Sequence, residues 1–407
     1  MKLLQINTTA NWGSTGRIAE QIGERILDKG GQSVVAYGYY VNPSRSQLHK
    51  MGSKWSIRWH IRISKLFDRH GMQSVCATRR LIRLIKEYRP DIIHLHNIHG
   101  YYINYPMLFD YLQSIDTPVV WTLHDCWTFT GRCAHYTLNG CYKWQSECHD
   151  CAFLRDYPKT YTDHSRRNFR FKRKAFTSLG ERLTLVPVSQ WLAGEARKSY
   201  FASTAIRTIY NGIDTSIFKP LDGSAIRQKY GIGKRFMLTS VASAWGVAKG
   251  LNDLYELRKQ LSTDYAIVMV GLTAEQLRNL PEGIIGIERT QSQLELAEIY
   301  SASDVVLSLS RQETFGMTVA EGMASGTPAI VYRTTSLPEL VTPSTGRIVE
   351  QVGDIEGMVE AINQIRMVGK AHFSEACRQR AVDHFDKFKC YEQYIDLYEE
   401  LLTKNRK

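Results

Sequence analysis

The chain has 407 residues, enough for two ordinary domains, and a globular composition of 43% apolar and 23% charged residues. No apolar run approaches the roughly 18 residues of a membrane-spanning helix, and no segment is of low complexity. The formal charge of +12 lies wholly in residues 1–190, which carry +13 against −1 for residues 191–407. That asymmetry points the first half toward an anionic surface or acceptor.

The start, Met1-Lys-Leu-Leu-Gln-Ile-Asn7, is too short and too soon polar for a signal peptide. It reads as a first strand, and a cytoplasmic protein is expected. Buried strands are predicted at Leu3–Asn7, Ser33–Tyr37, Asp91–His96, Pro118–His124 and Leu183–Ser189. A second series follows at Phe236–Ala242, Ala266–Gly271, Asp304–Ser310 and Pro328–Tyr332. Amphipathic helical stretches such as Ile18–Lys29 and Ala77–Tyr88 lie between them. This is the βαβ grammar of a doubly wound parallel sheet, used twice. The turn-rich stretch Asn211–Pro220 separates the two series. The expected division is an N-terminal domain over 1–215 with a Cys-rich insertion at 126–158, a second domain over 216–385, and a C-terminal helix within 386–407. The pattern does not show what that last helix packs on. Two such domains facing a cleft would bring strand C-termini to it.

The most informative stretch runs from Ser310 to Pro328. Glu313 sits in a loop after an apolar strand, and Glu321 is expected about two turns into the following helix. Between them Phe315, Gly316, Met317 and Thr318 would form the helix N-terminus, whose N–H groups and dipole suit a phosphate. Carboxylates on either side of a phosphate site match the sugar, diphosphate and ribose diol of a sugar nucleotide. Gly13 and Gly16, after the first strand, would let backbone approach a diphosphate or sugar; a tight strand–helix turn is the bland alternative. Lys249-Gly250 follows the first strand of the second series, where a lysine can neutralise phosphate as a point charge. His124-Asp125 ends a strand and is a site candidate by position. His94, His96 and His99 invite a metal reading, but polar packing is preferred, because no carboxylate completes an obvious ligand set.

These residues resemble the family 4 retaining glycosyltransferases of the two-Rossmann GT-B fold, over nearly the whole chain. Val188-Ser189 and Asn211-Gly-Ile-Asp214 add to the likeness. Asp91–Asn104 and Leu123–Cys133 are similar to the branch that makes colanic acid and other bacterial exopolysaccharides. The resemblance implies that Glu313 contacts the donor sugar, Glu321 the ribose diol and Lys249 the diphosphate. It places Gly13 under the donor and His124 beside the reacting sugar. The catalytic set is then His124, Lys249 and Glu313. The resemblance further implies a UDP- or GDP-sugar donor and a glycan or polyprenyl-diphosphate-linked acceptor. Transfer with retention, and without a catalytic metal, is implied. The chain departs from the family at Ser243, where many members carry a second phosphate-clamping arginine. Arg311 or backbone N–H groups would have to compensate.

Five of the eight cysteines fall between residues 126 and 151. Cys133, Cys141, Cys148 and Cys151 have spacing that suits a structural zinc; Cys126, His135 and His149 could substitute, and free thiols or disulfides are the alternatives. Residues 54–69 carry Trp55, Trp59, Ile63 and Leu66 at helical spacing beside Arg58, Arg62, Lys65 and Arg69. That suits a helix lying on an anionic membrane, or a domain helix with its apolar face inward. The run Arg166–Lys174 is a second basic segment. A sugar-nucleotide epimerase is the rival enzyme. A zinc-containing nucleic-acid-binding protein would leave the Glu pair unexplained, and no nucleic-acid partner is expected.

Overall fold

The computed structural model describes residues 1–405. Two compact units divide the chain. The first is Met1–Ile209 together with the residues from Tyr391 on, and the second is Tyr210–Cys390. The predicted C-terminal helix is therefore not a separate element: most of it, from Tyr391 on, belongs to the first unit.

The first unit is built on a parallel sheet of β1 (Lys2–Asn7), β2 (Gln32–Tyr37), β3 (Gln47–Lys50), β4 (Ile92–Leu95), β5 (Val119–Leu123), β6 (Leu183–Pro187) and β7 (Ala205–Ile206). Their spatial order is β3-β2-β1-β4-β5-β6-β7. Central strands such as β4 and β5 are buried at every residue, as a sheet covered on both faces requires. The helix Gly13–Asp28 buries Ile18, Ile22 and Ile26, a row at four-residue spacing. The helix Lys387–Asn405 begins in the second unit and ends in the first. There Tyr394 and Tyr398 are buried. The Tyr398 hydroxyl lies 2.6 Å from His94 Nδ1, and that of Tyr394 3.0 Å from Thr122 Oγ1.

The second unit holds β8 (Phe236–Val241), β9 (Tyr265–Val270), β10 (Ile284–Ile287), β11 (Val305–Ser308), β12 (Ala329–Tyr332) and β13 (Gly346–Val349), ordered β10-β9-β8-β11-β12-β13 and parallel. In each sheet the chain builds outward on one side of its first strand and then crosses to the other. The crevice sits at that reversal: between the loops after β1 and β4 in the first unit, and after β8 and β11 in the second. Among the described residues no helix is long and apolar enough to cross a membrane.

Candidate functional site

In the second unit the reversal brings together the residues singled out by spacing. The loop after β8 ends in Lys249, and the loop after β11 carries Glu313. Their side chains form an ion pair. Two backbone contacts close the seam. Arg311 N–H donates to Ala248 O at 2.9 Å. Gly250, at φ +71, sits so close to β11's end that an added Cβ would lie 2.2 Å from Leu309 O. Glu313 also accepts from Ser310 Oγ at 3.1 Å, and its N–H donates to Thr335 Oγ1 at 3.0 Å. The lysine ammonium is thus held by a carboxylate that Ser310 also holds, on a backbone tied to Thr335.

The helix that follows runs Met317–Ala324. Its N-cap, Gly316, is left-handed at φ +107, offers no side-chain cap, and is followed by a first turn without acidic residues. The N–H groups of this turn and the helix dipole make a ready anion site. Glu321 lies little more than one turn in, where the spacing had suggested two. Its Oε2 accepts from the buried Tyr300 hydroxyl at 3.2 Å, which fixes the carboxylate. Met317 and Thr318 are half-buried, whereas Phe315 is a core residue, packed on Tyr210 and Phe385. Its expected donor contact is restricted to backbone. Arg311 does not stand in for the arginine missing at Ser243. Its Nη2 is engaged by both oxygens of Asp253, at 2.7 and 3.0 Å, and Asp253 also accepts from Tyr332 at 3.3 Å.

In the first unit Gly13 and Gly16 divide in role. An added Cβ at Gly13 meets nothing within 4 Å, while one at Gly16 would lie 2.6 Å from Thr9 Oγ1. Gly13 opens the helix N-terminus; Gly16 closes the turn, its carbonyl accepting from Asn11 N–H. His124 Nε2 lies 3.1 Å from His96 Nδ1, with the rings stacked. Burial lowers the His124 pKa to about 4, and the ring is neutral at pH 7. His94 and His96 are polar packing as expected, bonded to Thr122, Tyr398 and Gln5. His99 departs from that reading. It does meet a carboxylate: its Nε2 is 2.8 Å from Asp125 Oδ2, and its Nδ1 is 3.1 Å from Tyr157 OH. Burial opposes the Asp125 charge, but His99 and the Trp127 N–H hold its pKa down to about 2. Separations of 26 and 58 residues hid this group from a reading of spacing.

The four clustered thiols do not form the expected zinc site. Cys133 and Cys151 share a hydrogen bond, which raises the pKa of the first and lowers that of the second. Cys148 Sγ accepts from Gly131 N–H at 3.2 Å, and Arg132 Nη1 lies 3.6 Å from Cys151 Sγ. A guanidinium beside a thiol opposes a dication at the same place. Among the described residues no group of three or more His, Cys, Asp or Glu side chains is arranged to hold a metal ion.

Comparison with known proteins agrees with this layout. Residues 16–217 match the family described as Glycosyltransferase Family 4, and residues 222–379 that described as Glycosyl transferases group 1. Among relatives, the "Putative colanic acid biosynthesis glycosyl transferase WcaC" of Escherichia coli K12 is 24% identical over 98% of this chain and all of its own length. The N-acetyl-alpha-D-glucosaminyl L-malate synthase of Bacillus anthracis is 26% identical over 54% of this chain and 60% of its own. Sucrose-phosphate synthase from Thermosynechococcus elongatus superposes with a TM-score of 0.72 over 99% of both chains, at 14% identity. Anabaena HepE, solved with UDP and glucose, superposes at 0.68 over 98% of this chain and 99% of its own, also at 14%.

Proposed function

The chain belongs to the glycosyltransferases that join a family 4 domain to a group 1 domain in the GT-B fold, and on that premise we propose that it transfers a sugar from a nucleotide-sugar donor to a growing surface glycan. The observation that carries the donor half is the Lys249–Glu313 ion pair beside an uncapped helix N-terminus, at the chain reversal of the second unit. Lys249 and the first-turn N–H groups of Met317 and Thr318 neutralise the diphosphate as it leaves, when its charge grows. Glu313 orients the sugar ring, and Glu321, held by Tyr300, accepts from the ribose diol. Gly13 provides open backbone for the donor, with Gly16 shaping its loop, and His124, neutral at working pH, hydrogen-bonds sugar hydroxyls. Departure of the nucleotide breaks the bond from the anomeric carbon to the diphosphate oxygen and leaves an oxocarbenium-like sugar; the acceptor oxygen joins the same face and passes its proton to that leaving oxygen, so configuration is retained. The residues assigned to these steps act without a metal ion.

The similarity to a colanic-acid protein supports an exopolysaccharide acceptor carried on a lipid diphosphate. One feature of the first unit favours an enzyme working at the inner face of a membrane. The helix Lys54–Phe67 buries His60 and Ser64, and leaves Trp55 77% and Trp59 60% exposed, with Leu66 and Phe67 also outside. Arg58, Arg62 and Arg69 are exposed beside them. The alternative, an apolar face turned into the core, is not the one this helix adopts. Tryptophans beside arginines suit the headgroup region of an anionic bilayer.

The test is protection against thermal unfolding by UDP-, GDP- and ADP-sugars, repeated on Lys249→Met. One donor class should raise the wild-type midpoint. The variant should bind it about a hundredfold more weakly, since a charge pair near the surface is worth up to about 4 kcal/mol. No protection by any donor, or equal protection of the variant, refutes the assignment. Product analysis with and without acceptor separates transfer from epimerisation.

A further inference from the structure

Behind the half-buried ring of His124 stand two wholly buried residues to which the proposed chemistry gives no part, His96 and Gln5. Gln5 lies on β1, His96 follows β4 and His124 follows β5, three neighbours in the sheet. Hydrogen bonds join them in a line. His124 Nε2 is 3.1 Å from His96 Nδ1, and His96 Nε2 is 3.0 Å from Gln5 Oε1. Gln5 Nε2 in turn donates to Ala19 O at 2.7 Å, on the helix Gly13–Asp28. That helix comes close enough for the last bond because Gly23 carries no side chain. An added Cβ there would lie 3.2 Å from Gln5 Nε2.

Each link dictates the next. A backbone carbonyl only accepts, so Gln5 turns its amide NH2 to Ala19 and its oxygen to His96. The reversed amide would set two carbonyl oxygens 2.7 Å apart. The Gln5 oxygen also only accepts, so His96 carries a hydrogen on Nε2. Burial holds His96 well below its ordinary pKa, so the ring is neutral and its Nδ1 is a lone pair. His124 therefore donates from Nε2–H. Its own ring is neutral at pH 7, which leaves the lone pair on Nδ1.

The surroundings hold the line in place. The His96 ring lies 4.0 Å from that of His94, centroid to centroid, and the Trp121 indole N–H donates to His96 O at 2.9 Å. Asp125, next to His124 in the chain, has its oxygens addressed by His99 Nε2 at 2.8 Å and by the Trp127 N–H at 2.9 Å.

We propose that Gln5 and His96 are positioning residues of the transfer reaction, which fix His124 as its Nε2–H tautomer and so present Nδ1 as an acceptor to a hydroxyl of the reacting sugar. The tautomer decides the sign of the interaction. A lone pair draws the hydroxyl hydrogen and leaves the sugar oxygen richer in electrons, which favours a positive charge growing on the same ring. An N–H would donate to that oxygen and oppose the charge. The part given to the sugar rests on the transferase reading above, whereas the tautomer follows from the hydrogen bonds alone.

Two-bond 1H–15N correlation NMR on the histidine-labelled full chain at neutral pH reads which ring nitrogen carries the proton. The His124 signal is the one absent from His124→Asn. In the wild type its proton should be on Nε2. Gln5→Met keeps the bulk and removes the acceptor. A buried N–H left without a partner should shift the His96 balance toward Nδ1–H about tenfold or more, and His124 should follow to Nδ1–H. Nucleotide release from UDP-, GDP- and ADP-sugars should then show kcat about tenfold lower, as the fraction of rings in the right tautomer falls, with KM within about twofold of wild type. Tyr398→Phe, which disturbs His94 and not the line, controls for loss of stability and should keep the wild-type tautomer and kcat. A wild-type His124 proton on Nδ1 overturns the proposal, as does an unchanged tautomer in Gln5→Met. A switched tautomer with kcat unchanged also overturns it. Nucleotide release with the wrong wild-type tautomer overturns the positioning role and leaves the transferase reading standing. The predicted tautomers in a protein that releases nucleotide from none of the sugars do the reverse.

Discussion

Gly250 is where the donor-site geometry is most exposed to a single methyl group. Its φ of +71 and ψ of +31 are left-handed, which costs an alanine about 1–2 kcal/mol. The new Cβ would lie 2.2 Å from Leu309 O and 2.7 Å from Leu309 Cβ, against the 3.4 Å at which ordinary contact begins. The seam must open by about 1 Å, a degree of overpacking that costs about 1–3 kcal/mol. The Arg311–Ala248 hydrogen bond spans the same seam and is lost with it, for about 1 kcal/mol more. Gly250→Ala should therefore cost about 3–6 kcal/mol, or on the order of 10–15 °C in the unfolding midpoint of a unit this size. Lys249 is the next residue, and moving it about 1 Å should lower turnover about a hundredfold. Differential scanning calorimetry measures the first effect, and donor turnover the second. Gly246→Ala is the control. Its φ of 179° is extended, and an added Cβ there meets nothing within 4 Å, so its midpoint should stay within about 1 °C of wild type. A Gly250→Ala midpoint equally close to wild type, with turnover intact, would refute the account of the seam.

Tyr398→Phe should destabilise the first unit by about 1–3 kcal/mol in urea titration, because it strands the buried His94 Nδ1; an unchanged midpoint would show that the last helix is not held there. Stability should also fall with acidity from about pH 6.5 downward. Burial lowers His60 to about pKa 3 and sets His70, His94 and His96 well below their ordinary value. The folded chain keeps these rings neutral while the unfolded chain takes up protons. The stability they preserve is complete above pH 6.5 and is lost below it, at about 1.4 kcal/mol per ring per pH unit. Urea midpoints at about pH 7.5 and 5.5 should differ accordingly, and a flat profile would contradict the buried placement of the rings.

The strands visible in the sequence and those missed divide by position in the sheet. Each central strand was predicted, because a strand buried on both faces is a continuous apolar run. The four that were missed, β3, β7, β10 and β13, are the two edges of each sheet. Edge strands are partly solvated: β3 has no buried residue, and β10 and β13 are buried only at their ends. Site residues followed a similar rule. Lys249, Glu313 and Gly316 were legible because they follow directly on predicted strands. That the Phe315 ring turns inward to Tyr210 and Phe385 was not legible, because position along the chain does not reveal what a ring packs on. Arg311 was a reasonable substitute for an absent arginine until Asp253, 58 residues away, was found to occupy it. The His99–Asp125–Tyr157 group and the fate of the thiols depend on tertiary approach in the same way.

The last helix has a consequence for how the molecule is made. Synthesis runs from the N-terminal to the C-terminal side, so the strands of the first sheet leave the ribosome before those of the second. The tyrosines that cover His94 and Thr122 are translated only after the whole of residues 210–390. The unit begun first is therefore finished last. Until then a buried imidazole and a threonine lack their covering side chains, and the second unit can complete its own core while the first still waits for its closing helix.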